Sequence, residues 1–461
     1  MRASISSSGP GGRAVATRES YAFSSGVCGV ATNFVVNSPS GYRNLSSSPD
    51  VNRNLYLVFA AIFCLFATQT VVFVLIPLAA AAMELPGVAI GVLVAVLAGL
   101  GLASDVLVAV TSDRLGRKPL ILTGAGLGVL AGILLAVAED FPTLFAGAVA
   151  LGLSLSFAVG PALAYVTEAC RPEQAARVQG YNGAVQGLSA LAGAFAIGFA
   201  IDHLGTGRSS LLISVLMAVA CLVVLRLDET VARTRPPSAR ELAGSYRRAI
   251  RLLVTRPPLQ LAALVSLIFN SVVFVVGNSF LPIYIVRDLG QSAVLAGTLL
   301  AARNVAMTVA SPLFGVAVSR FGLVATMLGT NSLAVLGMVG VALAPDPQLL
   351  YIPLALAGFG TGFAAATANT LVTSATGRHE RALGFATNSL VGRAGSLMSP
   401  LVFGTILEVS GSPAVFSAAA ILGVAYIAAM AARVRLGTVV APDRFEVRGS
   451  EETPIARPVG D

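Results

Sequence analysis

Residues 110–122 read VTSDRLGRKPLIL, and residues 315–322 read GVAVSRFG. The first stretch gathers Asp113, Arg114, Arg117 and Lys118 around Gly116, between two long apolar runs. Lys118 is the sole lysine of the 461 residues, so the cluster is not background composition. Taken from residue 109, AVTSDRLG is echoed 206 residues later, aligning Arg114 with Arg320 and Gly116 with Gly322. A second echo sets RPEQAARVQG (171–180) against TGRHERALG (376–384), pairing Arg177 with Arg381 and Gly180 with Gly384. Two echoes at nearly one offset divide the chain into two fused units of the same design, related by an axis along the membrane normal.

The flanks of these loops fix what kind of unit it is. The chain is 56% hydrophobic and 11% charged, outside the range of soluble domains. Twelve apolar stretches follow residue 55: 55–79, 88–110, 119–138, 141–166, 180–201, 210–226, 259–286, 292–318, 322–343, 349–373, 383–408 and 413–433. Each can span a bilayer core, which takes roughly 20 apolar residues, the longer ones with tilt. The predicted fold class is an all-α polytopic membrane protein of twelve transmembrane helices in two six-helix bundles. The expected organisation is a disordered tail at 1–50, a first bundle at 51–226, a linker at 227–258, a second bundle at 259–433 and a tail at 434–461. The polar 1–50 segment has no signal-peptide pattern.

Loop charges predict orientation. One side carries Arg114, Arg117, Lys118, Arg171, Arg177, Arg226, Arg320, Arg378 and Arg381, and segment 227–258 adds seven arginines. The other side holds Arg208 and Arg287 with most of the short-loop acids. The positive-inside rule puts the basic side and both termini in the cytoplasm, in a multi-pass protein of the plasma membrane. The net charge of +8 is spread over short loops and tails, which argues against nucleic acid as a partner. Within the linker, SARELAGSYRRAIRLLV (238–254) opens on a Ser238–Glu241 capping box, and Leu242, Tyr246, Ile250 and Leu253 share a face. This predicts a basic amphipathic helix along the membrane surface. The four cysteines lack metal or redox spacing and read as small buried hydrophobes; His203 and His379 read as loop residues.

Residues 109–121 resemble the signature loop of the major facilitator superfamily, G-x-L-a-D-R-x-G-R-[RK]-x-x-[LI]. Asp113, Arg114, Gly116, Arg117, Lys118 and Ile121 fit, and Ala109 stands at the leading glycine. With twelve spans and a six-plus-six repeat, the resemblance covers residues 55–433. It implies a transporter of small molecules, and for Asp113, Arg114, Gly116, Arg117 and Lys118 a conformational latch on the cytoplasmic side. Physically, Asp113 can accept from a helix N-terminus and Arg117 offers a fork of donors. Ser319 stands where Asp113 does and no basic pair follows Gly322, so the latch is expected to be asymmetric. The fifth-span motif of drug:proton antiporters is degraded in GLSALAGAFAIG (187–198), with Ala194 at its proline and Ile197 at a glycine.

Ionisable groups inside spans are costly and point to function. Asp105 lies about 12 Å, and Arg393 about 15 Å, from the cytoplasmic ends of their spans at 1.5 Å per residue. The resemblance makes the second and eleventh helices neighbours, so an Asp105–Arg393 ion pair coupling the halves is predicted. Asp105 is also the candidate for proton coupling. Arg303 has no evident acidic partner and leans toward an anionic or zwitterionic cargo. By the resemblance, the cavity lies among the first, fourth, seventh and tenth spans, so Gln69, Asn270, Asn278 and Asn369 join Arg303 as substrate-contact candidates. The sequence holds neither a phosphate-binding loop nor a nucleophile–base pattern. The chain therefore reads as no enzyme and as needing no cofactor or metal, a proton gradient supplying the drive. The reading is a monomeric, proton-coupled secondary transporter of a small organic solute, working in the lipid bilayer by rocking of two halves. Multidrug efflux by proton antiport and a non-transporting sensor or scaffold on the same fold are the alternatives.

Overall fold

The computed structural model of the protein describes residues 50–435 apart from 170–174, 230–246, 249, 345 and 377–380. Among the described residues every element is helical, as a bilayer demands of a chain that must satisfy its own backbone polar groups. The first half contains α1 (Asp50–Ala82), α2 (Gly87–Leu115), α3 (Arg117–Ala136) and α4 (Phe141–Ala169). The helical run Ala175–Ser209 breaks at Gly205, where φ is 77°. This separates α5 (175–204) from α6 (206–225), which continues through Leu211–Leu225. The second half contains α7 (Pro257–Asp288), α8 (Ala293–Phe321), α9 (Leu323–Leu343) and α10 (Pro347–Ala375). The last run, Arg381–Arg435, breaks at Gly411 (φ 77°) into α11 (381–410) and α12 (412–435). Nine of these runs are long and apolar enough to cross a membrane, the last holding two helices, and Gly87–Leu102 and Leu211–Leu225 are shorter apolar helices. The twelve predicted spans are therefore present, the sixth starting four residues earlier than its apolar run because Gly205 sets the break.

The backbone repeats as the loops do. The described residues with positive φ form three pairs, each 206 apart: Glu84 with Gly290 (55° and 61°), Gly116 with Gly322 (100° and 81°), and Gly205 with Gly411 (77° in both). L-residues avoid this region, so its use at matching turns marks one six-helix unit built twice. The same register runs along α5 and α11, so the pairing of Arg177 with Arg381, at an offset of 204, is two residues out of step with the structure.

Small residues let helices approach within each half. A Cβ on Gly124 of α3 would stand 2.7 Å from the Ser154 carbonyl of α4, and one on Gly337 of α9 would stand 2.5 Å from the Pro353 carbonyl of α10. Close backbone contact replaces the hydrophobic drive that lipid cannot supply. Large apolar side chains such as Leu130, Phe195, Leu222, Leu336 and Ile421 face outward, as a lipid-contacting belt requires. Asp140 precedes α4 and accepts from the Thr143 N–H at 3.0 Å. The hydrogen bonds from Thr143 hold its carboxyl below the usual range.

The predicted linker helix falls mostly outside the described residues. Its end, residues 250–255, is helical. There Leu252 and Leu253 pack against Leu259 and Met430, while Ile250, expected on the packed face, is exposed.

Candidate functional site: a cavity between the halves

Both halves contribute side chains to one cavity between them. From the first half, α1 brings Phe66, Gln69, Thr70 and Phe73, and α5 brings Gln186. From the second, α7 brings Phe269, Phe274 and Asn278, α8 brings Arg303, Asn304 and Met307, and α10 brings Thr361. Phe73 and Phe274 meet edge to face across the halves, ring centroids 5.2 Å apart. α7 is wound partly in π-turns, over Ile268–Phe274, Val276–Phe280 and Tyr284–Asp288. Such turns recur at functional sites because they redirect side chains that a regular helix would space evenly.

Among the described residues Arg303 is the one charged residue of the lining, and it is only 6% exposed. Its Nη2 donates to Asn278 Oδ1 at 2.9 Å and Asn304 Oδ1 at 3.3 Å, and its Nη1 to the Val273 carbonyl at 3.4 Å. Two glycines make its berth. A Cβ on Gly277 would collide with Nη1, and one on Gly358 would collide with the Arg303 carbonyl. Among the described residues no carboxylate pairs with it.

Of the sequence-based candidates, Gln69, Asn278 and Arg303 line the cavity. Asn270 turns away: its Nδ2 donates to the Ser266 carbonyl at 2.8 Å, its Oδ1 accepts from Ser396 Oγ of α11 at 3.3 Å, and Gly392 packs on it. Asn369 is exposed on α10 and does not line the cavity. The fourth span, expected to contribute, has no residue in the lining, whereas α5 and α8 do. The aromatic residues and Met307 escaped the sequence reading, because an apolar side chain in an apolar helix carries no signal of which way it faces.

The face bearing Gly87, Asp202, Ala293 and Glu408 (the far face) is closed by ties between the halves. Asp202 of α5 accepts from the Ala293 and Val294 N–H groups at the start of α8, at 2.7 and 3.0 Å. Glu408 of α11 accepts from the Gly87 N–H at the start of α2. Asp202 and Glu408 are 206 residues apart, as are Gly87 and Ala293. The backbones touch beneath these caps. A Cβ on Gly404 would stand 2.6 Å from the Gly87 carbonyl, and one on Gly198 would stand 2.5 Å from the Ala293 carbonyl. Gly198 and Gly404 are again 206 apart, so the closure is two-fold symmetric. Each cap places a carboxylate at the positive end of a helix dipole.

The opposite, basic face is organised differently. Glu229 accepts from the Arg117 and Lys118 N–H groups at 2.9 and 3.2 Å, capping α3 beside Gly116. Arg117 Nη2 pairs with Glu168 of α4 at 2.8 Å, and Nη1 donates to Ser112 Oγ. Lys118 Nζ donates to the Leu225 and Leu227 carbonyls at 2.9 and 2.8 Å, closing the end of α6. These contacts of the predicted latch all lie within the first half. Glu168 and Glu229, which complete them, were not singled out in the sequence. The side chains of Asp105, Asp113 and Arg114 lie outside what the structure describes. Arg393 packs on α2: its Nη1 lies 2.8 Å from where a Cβ of Gly101 would stand, one helical turn before Asp105.

A pair of six-helix bundles, tied at one face around a central cavity, is the architecture of a membrane transporter. Comparison agrees. The sequence matches the Major Facilitator Superfamily over residues 58–284 and 263–458, and the chain belongs to that family. Its fold is similar to the nucleoside transporter NupG, at 13% identity and a TM-score of 0.67 over 84% of this chain and 99% of that one. A bacterial homologue of the human lysosomal transporter Spinster, solved inward-facing and unoccupied, gives 16% and 0.64 over 85% and 98%. The human organic anion transporter MFSD10 gives 17% and 0.55 over 83% and 100%. Comparison with curated protein sequences returns no match.

Proposed function

We propose that the protein is a secondary transporter that carries a small organic solute by alternating access, coupled to protons and working as a monomer in the plasma membrane. The observation that carries this reading is the shared cavity beneath a symmetric far-face closure. A site built by both halves changes its exposure when the halves rock. The excess of arginine on the other face supports placing that face, and both termini, in the cytoplasm. Asp105, the carboxylate deepest in a span, is the proposed proton carrier.

Reconstitution in liposomes loaded with a pH-sensitive dye tests both parts. Solute added outside should drive a proton flux that Asp105→Asn abolishes. Solute flux that persists with no proton movement would leave the transporter and remove the coupling. Vesicles that pass no solute of any class would overturn the reading as a whole.

A further inference from the structure

Resting on the reading of the cavity as the cargo site, we infer that the cargo is a small monoanion with an apolar body: a carboxylate held by Arg303, with its hydrocarbon or aromatic part among the phenylalanines.

The charge of the lining sets the class. Among the described residues Arg303 supplies its whole formal charge, and the other lining groups are amides, hydroxyls and apolar side chains. A guanidinium has five N–H donors, and three hydrogen bonds reach this one, each from a neutral oxygen. Amide oxygens orient it and partly solvate it, yet they carry no countercharge. A buried cation in that condition is stabilised by an anion that enters beside it. One positive charge matches one negative charge. A dianion would bring a second charge with no partner. A cation would meet like charge, and an amino acid would bury an ammonium group in a cavity lined by no carboxylate.

The rest of the lining sets the body. Phe66, Phe73, Phe269, Phe274 and Met307 share the lining with the guanidinium. Gln69, half-buried in the lining, has no hydrogen-bond partner among the described residues, so its amide is available to a polar substituent of the cargo. The berth of Arg303 is itself built: Gly277 and Gly358 are placed where any side chain would push the guanidinium or its backbone away.

Four probes sharing one body separate the possibilities: 3-phenylpropionate, 3-phenylpropanamide, 3-phenylpropylamine and phenylalanine. Each is added at millimolar concentration to the purified full chain, and the melting temperature is read for wild type, Arg303→Gln and Gly277→Ala. The expected result is stabilisation by the carboxylate alone, with its affinity at least about tenfold weaker in Arg303→Gln, the scale of one lost charged contact. Gly277→Ala keeps the charge but displaces the guanidinium, so it should weaken the carboxylate too, and it serves if Arg303→Gln fails to fold. Equal stabilisation by the amide or the amine, a carboxylate effect that survives both variants, or no response to any probe overturns the anion class. The transporter reading is judged separately by uptake of labelled 3-phenylpropionate and of neutral solutes into proteoliposomes. Binding through Arg303 without flux of any solute would sink that reading and leave the anion site standing.

Discussion

The two faces of this molecule solve the same problem in different ways. At the far face, a carboxylate from one half caps a helix of the other, twice over, and paired glycines bring the backbones together under each cap. At the basic face, the charged residues tie α1, α3, α4 and α6 of the first half to one another. Arg53 pairs with Asp228 at 3.1 Å, Tyr165 donates to the Asp228 carbonyl at 2.7 Å, and Glu168 and Glu229 hold the loop around Gly116. The register of 206 explains why the second half has no copy of this network. Where the first half has Arg117, Lys118, Glu168 and Glu229, the second has Leu323, Val324, Ser374 and Arg435. Both partners of the Arg117–Glu168 pair are gone together, and so are the Glu229 carboxylate and the Lys118 ammonium that close on backbone groups. Duplication preserved the pieces that must close against each other and released those that stiffen a single half.

The comparison can be broken first at the glycines. Gly404→Val and Gly297→Val would each push a side chain into the opposing backbone; a Cβ at Gly297 already lies 2.5 Å from the Ala194 carbonyl. Overpacking of this kind costs about 1–3 kcal/mol, so the closed-to-open ratio should fall roughly 5- to 150-fold, and initial uptake rates with it. Wild-type rates in either variant would mean that far-face closure is dispensable.

The caps come next. Asp202→Ala and Glu408→Ala should each weaken the closure by about 0.5–2 kcal/mol, the range for a lost helix cap. Symmetry predicts equal effects from the two, and near-additivity in the double variant. Reactivity of a cysteine introduced at Val88 with a membrane-impermeant reagent measures it. One silent variant would show that the repeat survives in form but not in use.

On the basic face the effects should be smaller and one-sided. Arg117→Ala removes a largely buried ion pair, with side-chain exposures of 13% and 24%, and should lower thermal stability by about 1 kcal/mol. The basic side chain that the second half keeps in this loop is Arg320, the counterpart of Arg114, which sits over the Phe321 ring, 5.6 Å from its centroid. Arg320→Ala should stay within about 0.5 kcal/mol of wild type. Equal losses from the two would remove the asymmetry. Lys118→Met should cost about 0.3–1 kcal/mol, between those two, since it forfeits the cation that closes the end of α6.

Much of this was legible in the sequence, for physical reasons. Spans show because lipid tolerates little but apolar side chains, and the duplication showed through Gly116 and Gly322, which share a turn that L-residues avoid. The other two such turns were not singled out in the sequence: Gly205 and Gly411 lie among many glycines, and one copy of the third is Glu84 rather than glycine. In the cavity, Arg303, Gln69 and Asn278 were visible because a polar group inside a span demands a reason. Asn270 met the same criterion and instead bonds to α11, since the π-turns of α7 shift which face each residue takes. The caps Asp202 and Glu408 were hidden among short-loop acids. Only the register of the repeat, applied to the helix starts at Gly87 and Ala293, separates them from ordinary surface charge.

The most direct test of the rocking that this symmetry implies is a pair of spin-label distances in one lipid-nanodisc preparation, on a background without Cys28, Cys64, Cys170 and Cys221. Labels at Val88 and Val409 report the far face, and labels at Leu115 and Phe321 the basic face; all four residues are exposed. With 3-phenylpropionate and acidification, a second population should appear in which the Val88–Val409 distance lengthens while the Leu115–Phe321 distance shortens. Distances that move together, or that stay fixed while the protein transports, would contradict alternating closure of the two faces.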